Sequence, residues 1–175
     1  ALAASAGLEP ARALLIMERP LDAGVAAPPT PVGLRLHGFT DADAHAVVAI
    51  NAAAFAHHPE QGAMTRADLD ARRSGPWWDA AGLIVAEDAE GAVGFHWTKR
   101  HDADTGEVYV IGVHPRAHGR GVGTVLLQAG LAHLAASGCT RVILYVEADN
   151  PAVSLYERTG FRTVHRDVLY ARPAG

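Results

Sequence analysis

The stretch from Val108 to Gly130 limits what this chain can fold into more than any other. It opens with Val108, Tyr109, Val110, Ile111 and Val113, a run of β-branched and aromatic residues that reads as a strand. Pro115 breaks the run. Gly119, Gly121 and Gly123 follow, and an apolar pattern then starts at once through Val125, Leu126, Leu127, Leu131 and Leu134. A strand, a glycine turn and a helix in direct succession make an anion site. The first N–H groups of a helix lack intrahelical partners, and the macrodipole favours negative charge there. Glycines let the backbone take positive φ and come close to a phosphate. Arg116 and Arg120 add positive charge beside the turn. The spacing G-x-G-x-G lacks the Gly-Lys-Ser/Thr of a nucleoside-triphosphate loop and departs from the dinucleotide pattern G-x-G-x-x-G. A plain tight turn is the competing reading.

Composition narrows the remaining classes. A chain of 175 residues with 49% hydrophobic and 19% charged residues holds one domain with a sizeable core, or one domain and an appendage. The net charge of −4 offers no basic surface for nucleic acid, and no apolar run is long enough to span a membrane. The single cysteine, Cys139, rules out an intrachain disulfide and fits a reducing cytoplasm. It follows Gly138 at a helix end and reads as a small core residue. His57 and His58 near Glu60 lack a second ligand cluster at metal-site spacing, so no metal is expected. Ala1 to Ala4 have no basic run before them, so the start reads as an internal cut, not a signal peptide.

Gly7 to Pro20 aligns without a gap with Gly160 to Pro173; both begin with Gly and end in Arg-Pro. Two readings stay open: the tail of a preceding similar domain, or an N-terminal strand that extends the sheet. Asp22 to Gly33, with Pro28, Pro29 and Pro31, has linker composition. The expected division is residues 1–33 as tail and Pro/Ala-rich linker, and 34–175 as the folded domain. Leu34 to Leu36 reads as a strand. Thr40 caps a helix running through Ala46, Val47, Ile50 and Ala54. Phe55 to Gly62 is expected to be a loop between helices. Thr65 with Asp68 forms a capping box for a helix ending at Gly75-Pro76, with Trp77 and Trp78 as hydrophobic anchors. Leu83 to Glu87 and Ala92 to Lys99 read as a hairpin, with Gly94 at a bulge or close approach. Arg141 to Val146 is another strand. Asn150 and Pro151 open a last helix, and Phe161 to Arg172 is the last strand or strand pair. The fold expected is α/β, a central mixed and largely antiparallel sheet flanked by helices.

Two segments carry a family resemblance. His118, Gly119, Arg120, Gly121, Val122 and Gly123 resemble the pyrophosphate loop of the GCN5-related N-acetyltransferase (GNAT) family, whose pattern is Gln/Arg-x-x-Gly-x-Gly/Ala; His118 is the departure. Leu144 to Phe161 resembles the family's stretch with Asn at a helix start, then Leu-Tyr, then Gly-Phe. The resemblance implies that acetyl-CoA binds as co-substrate. Its contacts would be Ile111, Gly112 and Val113 along the strand, the turn from His118 to Thr124, and Asn150, Pro151, Ala152, Val153, Ser154 and Leu155. The gap from Asn150 to Tyr156 is one residue shorter than usual, so either Asn150 or Asp149 holds the Asn place. It also implies that Tyr156 protonates the leaving thiolate.

The chemistry needs a proton acceptor for the attacking amine and a backbone donor for the oxyanion. Glu107 opens the central strand, and plain alternation puts it on one face with Tyr109 and Ile111. It is the best base candidate; a surface carboxylate at a strand end is the alternative. Finer likenesses, from Ala52 to Gly62 and in Gly94 to His101, Gly106 to Pro115 and Leu144 to Asn150, point to the C-terminal half of tandem family members. Those members acetylate the amine of a cysteinyl amino-sugar inositol conjugate. This implies a small-molecule acceptor contacted by Glu60, Lys99, Glu107 and Tyr145, and a preceding GNAT-like half.

Overall fold

The computed structural model describes residues 9–22 and 24–172. Ala1 to Ala4, Gly7, Leu8 and Pro173, on which parts of the sequence reading fall, lie outside them. The described residues form two compact units, one of 20–142 and one of 9–19 with 143–172. Both combine strands with helices, as the α/β expectation requires.

The larger unit is built on β2 (Arg35–Gly38), β3 (Leu83–Asp88), β4 (Gly91–Arg100) and β5 (Thr105–Val113), adjacent in that order and antiparallel throughout. Helices α1 (Ala44–Ala54), α2 (Pro59–Gly62) and α3 (Arg66–Arg73) lie between β2 and β3 in the chain, and α4 (Val122–Ala136) follows β5. The capping box at Thr65 is formed: its side chain accepts from the Asp68 N–H, while Asp68 accepts from the Thr65 N–H at 2.8 Å. The expected loop at Phe55 to Gly62 instead contains the one-turn helix α2. Proline suits a first helical turn, and the Asn51 side chain fastens this turn by donating to the Gln61 carbonyl at 2.6 Å.

Two cores cover the two faces of these strands. On one face Leu83, Val85, Phe95, Trp97 and Val110 pack with Val47, Ile50 and Leu69 of α1 and α3. Trp77 and Trp78 cover Trp97, each with ring centroids 5.6 Å away, so the anchor reading of both indoles holds. Each such aromatic pair adds about 0.5–1.5 kcal/mol beyond its area burial. On the other face Ile84, Ala86 and Val93 pack with Ala117, Val122 and Leu126. Gly94 proves to be a close approach: a Cβ there would meet Leu126 Cδ1 at 2.8 Å and the Gly112 carbonyl at 3.0 Å.

His96 lies under α4, fully buried. Its Nδ1–H donates to the Leu126 carbonyl at 2.8 Å, and its ring occupies the space that a side chain at Gly130 would fill. Nε2 is buried without a partner among the described residues. Desolvation pushes the His96 pKa down from 6.5 to about 4.

In the smaller unit the order is β6-β1-β7. β1 (Glu9–Pro20) pairs antiparallel with β7 (Arg162–Ala171), so the two segments that align in sequence lie side by side as strands. β6 (Arg141–Glu147) starts in the larger unit and continues into this one. α5 (Val153–Arg158) begins two residues after the proline expected to open it. The Asn150 side chain forms a turn ahead of the helix, accepting from the Ala152 N–H at 2.9 Å. Among the described residues no helix is long and apolar enough to cross a membrane.

Gly130→Ala is expected to destabilise the protein by about 2 kcal/mol, because the new Cβ runs into the His96 ring. Equilibrium urea unfolding measures this, and an unchanged midpoint refutes the packing account. His96 also sets a pH dependence. Between pH 6.5 and about 4 the unfolded chain binds the His96 proton and the folded chain does not. Stability is therefore full above pH 6.5 and falls by up to about 3 kcal/mol toward pH 4. His96→Phe should flatten that slope in the same unfolding series.

Candidate active site

The strand β5 does not alternate regularly. Thr98 faces Val108 across the ladder and Trp97 faces Val110, so Tyr109 is an extra residue in a β-bulge. Before the bulge Glu107 pairs with Lys99; after it Ile111 pairs with His96. Paired residues share a face, so Glu107 lies on the Lys99 and Trp97 side and Ile111 lies on the His96 side. The expectation that Glu107, Tyr109 and Ile111 share one face is corrected: Tyr109 stays with Glu107, and Ile111 packs into the opposite core.

The Glu107 face carries a polar cluster on an aromatic floor. Tyr109 packs on Trp77 and Trp97 at 5.2 and 5.5 Å. The Lys99 ammonium sits 5.1 Å from the Trp77 ring centre and 5.3 Å from that of Tyr109. Lys99 forms no ion pair among the described residues. Glu107 is only 7% exposed, and its Oε2 lies 2.7 Å from Nε2 of His101. His101 also lines a cavity of about 430 Å³ with Trp77, Trp78, Arg100 and Asp102. Glu60 is exposed in the first turn of α2.

The glycine turn forms as the sequence predicts. A 3₁₀ turn at Pro115–Ala117 leads into Gly119 and Gly121, with φ of +74° and +77°. A side chain is strained in this left-handed region. α4 has no acidic residue in its first turn. Among the described residues no acceptor meets the N–H groups of Gly119, Arg120, Gly121, Val122, Gly123 or Thr124, while the next N–H, of Val125, bonds to the Gly121 carbonyl. A row of open donors at a helix N-terminus fits a diphosphate.

The side chains around this turn are engaged. Arg116 and Arg120 both bond to Asp88 at the end of β3, at 3.0 and 2.8 Å, and the two guanidinium groups hold the Asp88 pKa down to about 2. The positive charge read beside the turn is thus largely committed to tying the loop to the hairpin. The His118 ring is bonded at 3.1 Å to the Val113 carbonyl, leaving the backbone as the anion-facing part of the loop. Gly112 packs closely on Phe95.

Tyr156 and Tyr145 belong to the smaller unit. Tyr156 is buried on α5 with its ring 5.7 Å from Phe161, and burial pushes its pKa up to about 12. Tyr145 is 51% exposed on β6. Asn150 to Leu155 form the turn and first residues of α5, and the Asn150 side chain accepts from the Ala152 N–H.

His101 and Asp88 escaped the sequence reading, which placed them in a polar loop and a turn. Only strand pairing brings His101, six residues before Glu107, back onto that carboxylate. Nothing local marks Asp88, whose partners lie 28 and 32 residues away. Among the described residues no group of three or more His, Cys, Asp or Glu is placed to hold a metal.

Comparison with known proteins adds an independent line. The model of the acetyltransferase (GNAT) family matches residues 50–161. A mycothiol acetyltransferase from Thermobispora bispora is 50% identical over 179 residues, covering 98% of this chain and 61% of that protein. One from Clavibacter michiganensis subsp. michiganensis is 51% identical over 177 residues, covering 98% and 58%. The chain thus spans about three fifths of the length of these relatives. Among solved structures, a GCN5-related N-acetyltransferase from Sphaerobacter thermophilus matches with a TM-score of 0.82 at 25% identity, over 97% of this chain and 54% of that one. A tandem GNAT protein from the clavulanic acid biosynthesis pathway shares the fold, with a TM-score of 0.70 at 18% identity over 99% and 57% of the two chains.

Gly121→Val tests the loop. Forcing a β-branched residue to φ +77° should cost about 1–2 kcal/mol and disturb the donor row, raising the Kd for CoA about tenfold or more. Calorimetric titration with CoA reads this, and unchanged affinity would remove the turn from the binding site.

Proposed function

The chain belongs to the acetyltransferase (GNAT) family, and from that premise we propose that it transfers the acetyl group of acetyl-CoA to the cysteinyl amine of a cysteinyl-glucosaminyl-inositol conjugate, making mycothiol. The observation that carries this reading is the buried Glu107 carboxylate on the same face as Lys99, over the Trp77 and Tyr109 rings. An amine acceptor with a polar body needs such a set: a base for its proton, and a cation and aromatic surface for its hydroxyl-rich part. The names and identities of the curated relatives support the choice of acceptor.

The steps follow from the residues. The neutral amine attacks the thioester carbonyl and forms the C–N bond. Its proton passes to Glu107, directly or through water. The C–S bond breaks, and the CoA thiolate takes the phenol proton of Tyr156. A phenol whose pKa is about 12 stays protonated at neutral pH and is available as a donor. Backbone N–H groups of Ile111 to Val113 are assigned to the thioester carbonyl and the pantetheine arm, and the donor row from Gly119 to Thr124 to the diphosphate. His118 serves this loop through the Val113 carbonyl. The family likeness assigns Asn150, Pro151, Ala152, Val153, Ser154 and Leu155 to CoA, and Glu60, Lys99 and Tyr145 to the acceptor.

A cytoplasmic setting fits the buried free thiol of Cys139. The part of the relatives that this chain does not span is proposed to be a second GNAT-like half, with residues 1–33 as its tail and linker and 34–175 as the catalytic domain.

Chromatographic measurement of CoA released from acetyl-CoA should show turnover with the cysteinyl sugar conjugate well above that with a panel of simple amines and peptide N-termini. Equal turnover of simple amines would replace the acceptor assignment with a general amine acetyltransferase. Glu107→Gln and Tyr156→Phe should each lower kcat about 100-fold, with KM for acetyl-CoA little changed. A kcat within twofold of the parent in either variant removes that residue from its role.

A further inference from the structure

Glu107 has one side-chain partner among the described residues, and the proposed mechanism makes no use of it. That partner is His101, whose Nε2 lies 2.7 Å from Oε2. The pair is asymmetric in burial: the Glu107 side chain is 9% exposed and that of His101 is 35% exposed. His101 is held from both sides of the hairpin end. Its backbone N–H donates to the Thr105 carbonyl at 2.9 Å, and Thr105 is itself fixed by the Asp102 side chain at 2.7 Å. The imidazole is therefore presented to Glu107 by a tied turn.

We propose that His101 is the positioning residue of Glu107. Its Nε2–H donates to Oε2, fixes the carboxylate rotamer and leaves Oε1 as the oxygen that accepts the amine proton. This rests on the reading of Glu107 as the base. An ionised carboxylate only accepts hydrogen bonds, so an Nε2 within bonding distance of it must carry the hydrogen. A carboxylate removed from water must be hydrogen-bonded to be kept charged at low cost, and this contact supplies the bond. The roles are those of a base and its orienting group, with the histidine here as orienter and the carboxylate as base. His101 also lines the cavity shared with Trp77, Trp78, Arg100 and Asp102.

Two measurements on the intact protein decide it. In ¹⁵N-labelled protein, the His101 resonances should report a hydrogen on Nε2, slowly exchanging, that is lost or shifted in Glu107→Gln. The opposite tautomer, or a signal indifferent to Glu107→Gln, overturns the proposal whatever the acceptor is. In the acetyl-transfer assay with the cysteinyl sugar conjugate, His101→Phe should lower kcat about tenfold or more with KM for acetyl-CoA unchanged. His101→Gln, which restores an N–H donor, should recover most of that loss. In a Glu107→Gln background, His101→Phe should have little further effect. A full loss in the Gln variant, or an undiminished effect without Glu107, would assign His101 a merely structural role. Normal kcat in His101→Phe with a loss in Glu107→Gln would defeat the positioning role alone. Normal kcat in Glu107→Gln would defeat both the base and its orienter.

Discussion

One extra residue in one strand governs the chemistry-bearing face of this protein. The bulge at Tyr109 shifts β5 by one position against β4. Without it, Glu107 and Ile111 would share a face. With it, the first half of β5 presents Glu107 and Tyr109 beside Lys99, and the second half turns Ile111 and Val113 into the core beneath α4. A bulge leaves one residue out of the ladder and increases the local twist. That cost is offset here by the edge-to-face packing of Tyr109 on Trp77 and Trp97. The bulge thus lets a single strand serve a polar site at one end and an apolar helix interface at the other.

The same economy appears at the glycine turn. The loop presents backbone rather than side chains: two positive-φ glycines, a helix start without carboxylates, and a row of donors that lack acceptors among the described residues. Its arginines face away toward Asp88 and fasten the loop to the β3–β4 hairpin. Such fastening holds the open backbone donors of the turn in fixed positions, without relying on the reach of flexible cations. On the neighbouring side His118 closes back on the end of β5. Strand, loop and helix are therefore tied together in the larger unit, and His96 packs in turn against Gly130 of α4.

Much of this was legible in the chain. The strand–glycine–helix succession, the capping box at Thr65, the hairpin at Asp88 to Gly91 and the anchoring role of Trp77 and Trp78 all follow from local rules. They are set by residues within a few positions of one another. The family likeness of the loop and of the segment ending in Gly160-Phe161 was legible for the same reason, since both motifs are contiguous. The misreadings were also local in origin. Strict alternation put Ile111 beside Glu107 because a bulge leaves no composition signal. The segment Pro59 to Gly62 was read as loop because a one-turn helix leaves no period to detect.

The sequence by itself determined the α/β class and the position of the glycine turn between β5 and α4, because each is written in short-range pattern. Only the tertiary structure decided which of those residues meet. Glu107 finds His101 through a hairpin end, Asp88 finds Arg116 and Arg120 across 28 and 32 residues, and Lys99 finds the Trp77 and Tyr109 rings from three separate segments. Such pairings depend on strand register and on a bulge that no local preference dictates. They are fixed only when the two faces of the sheet choose what to bury.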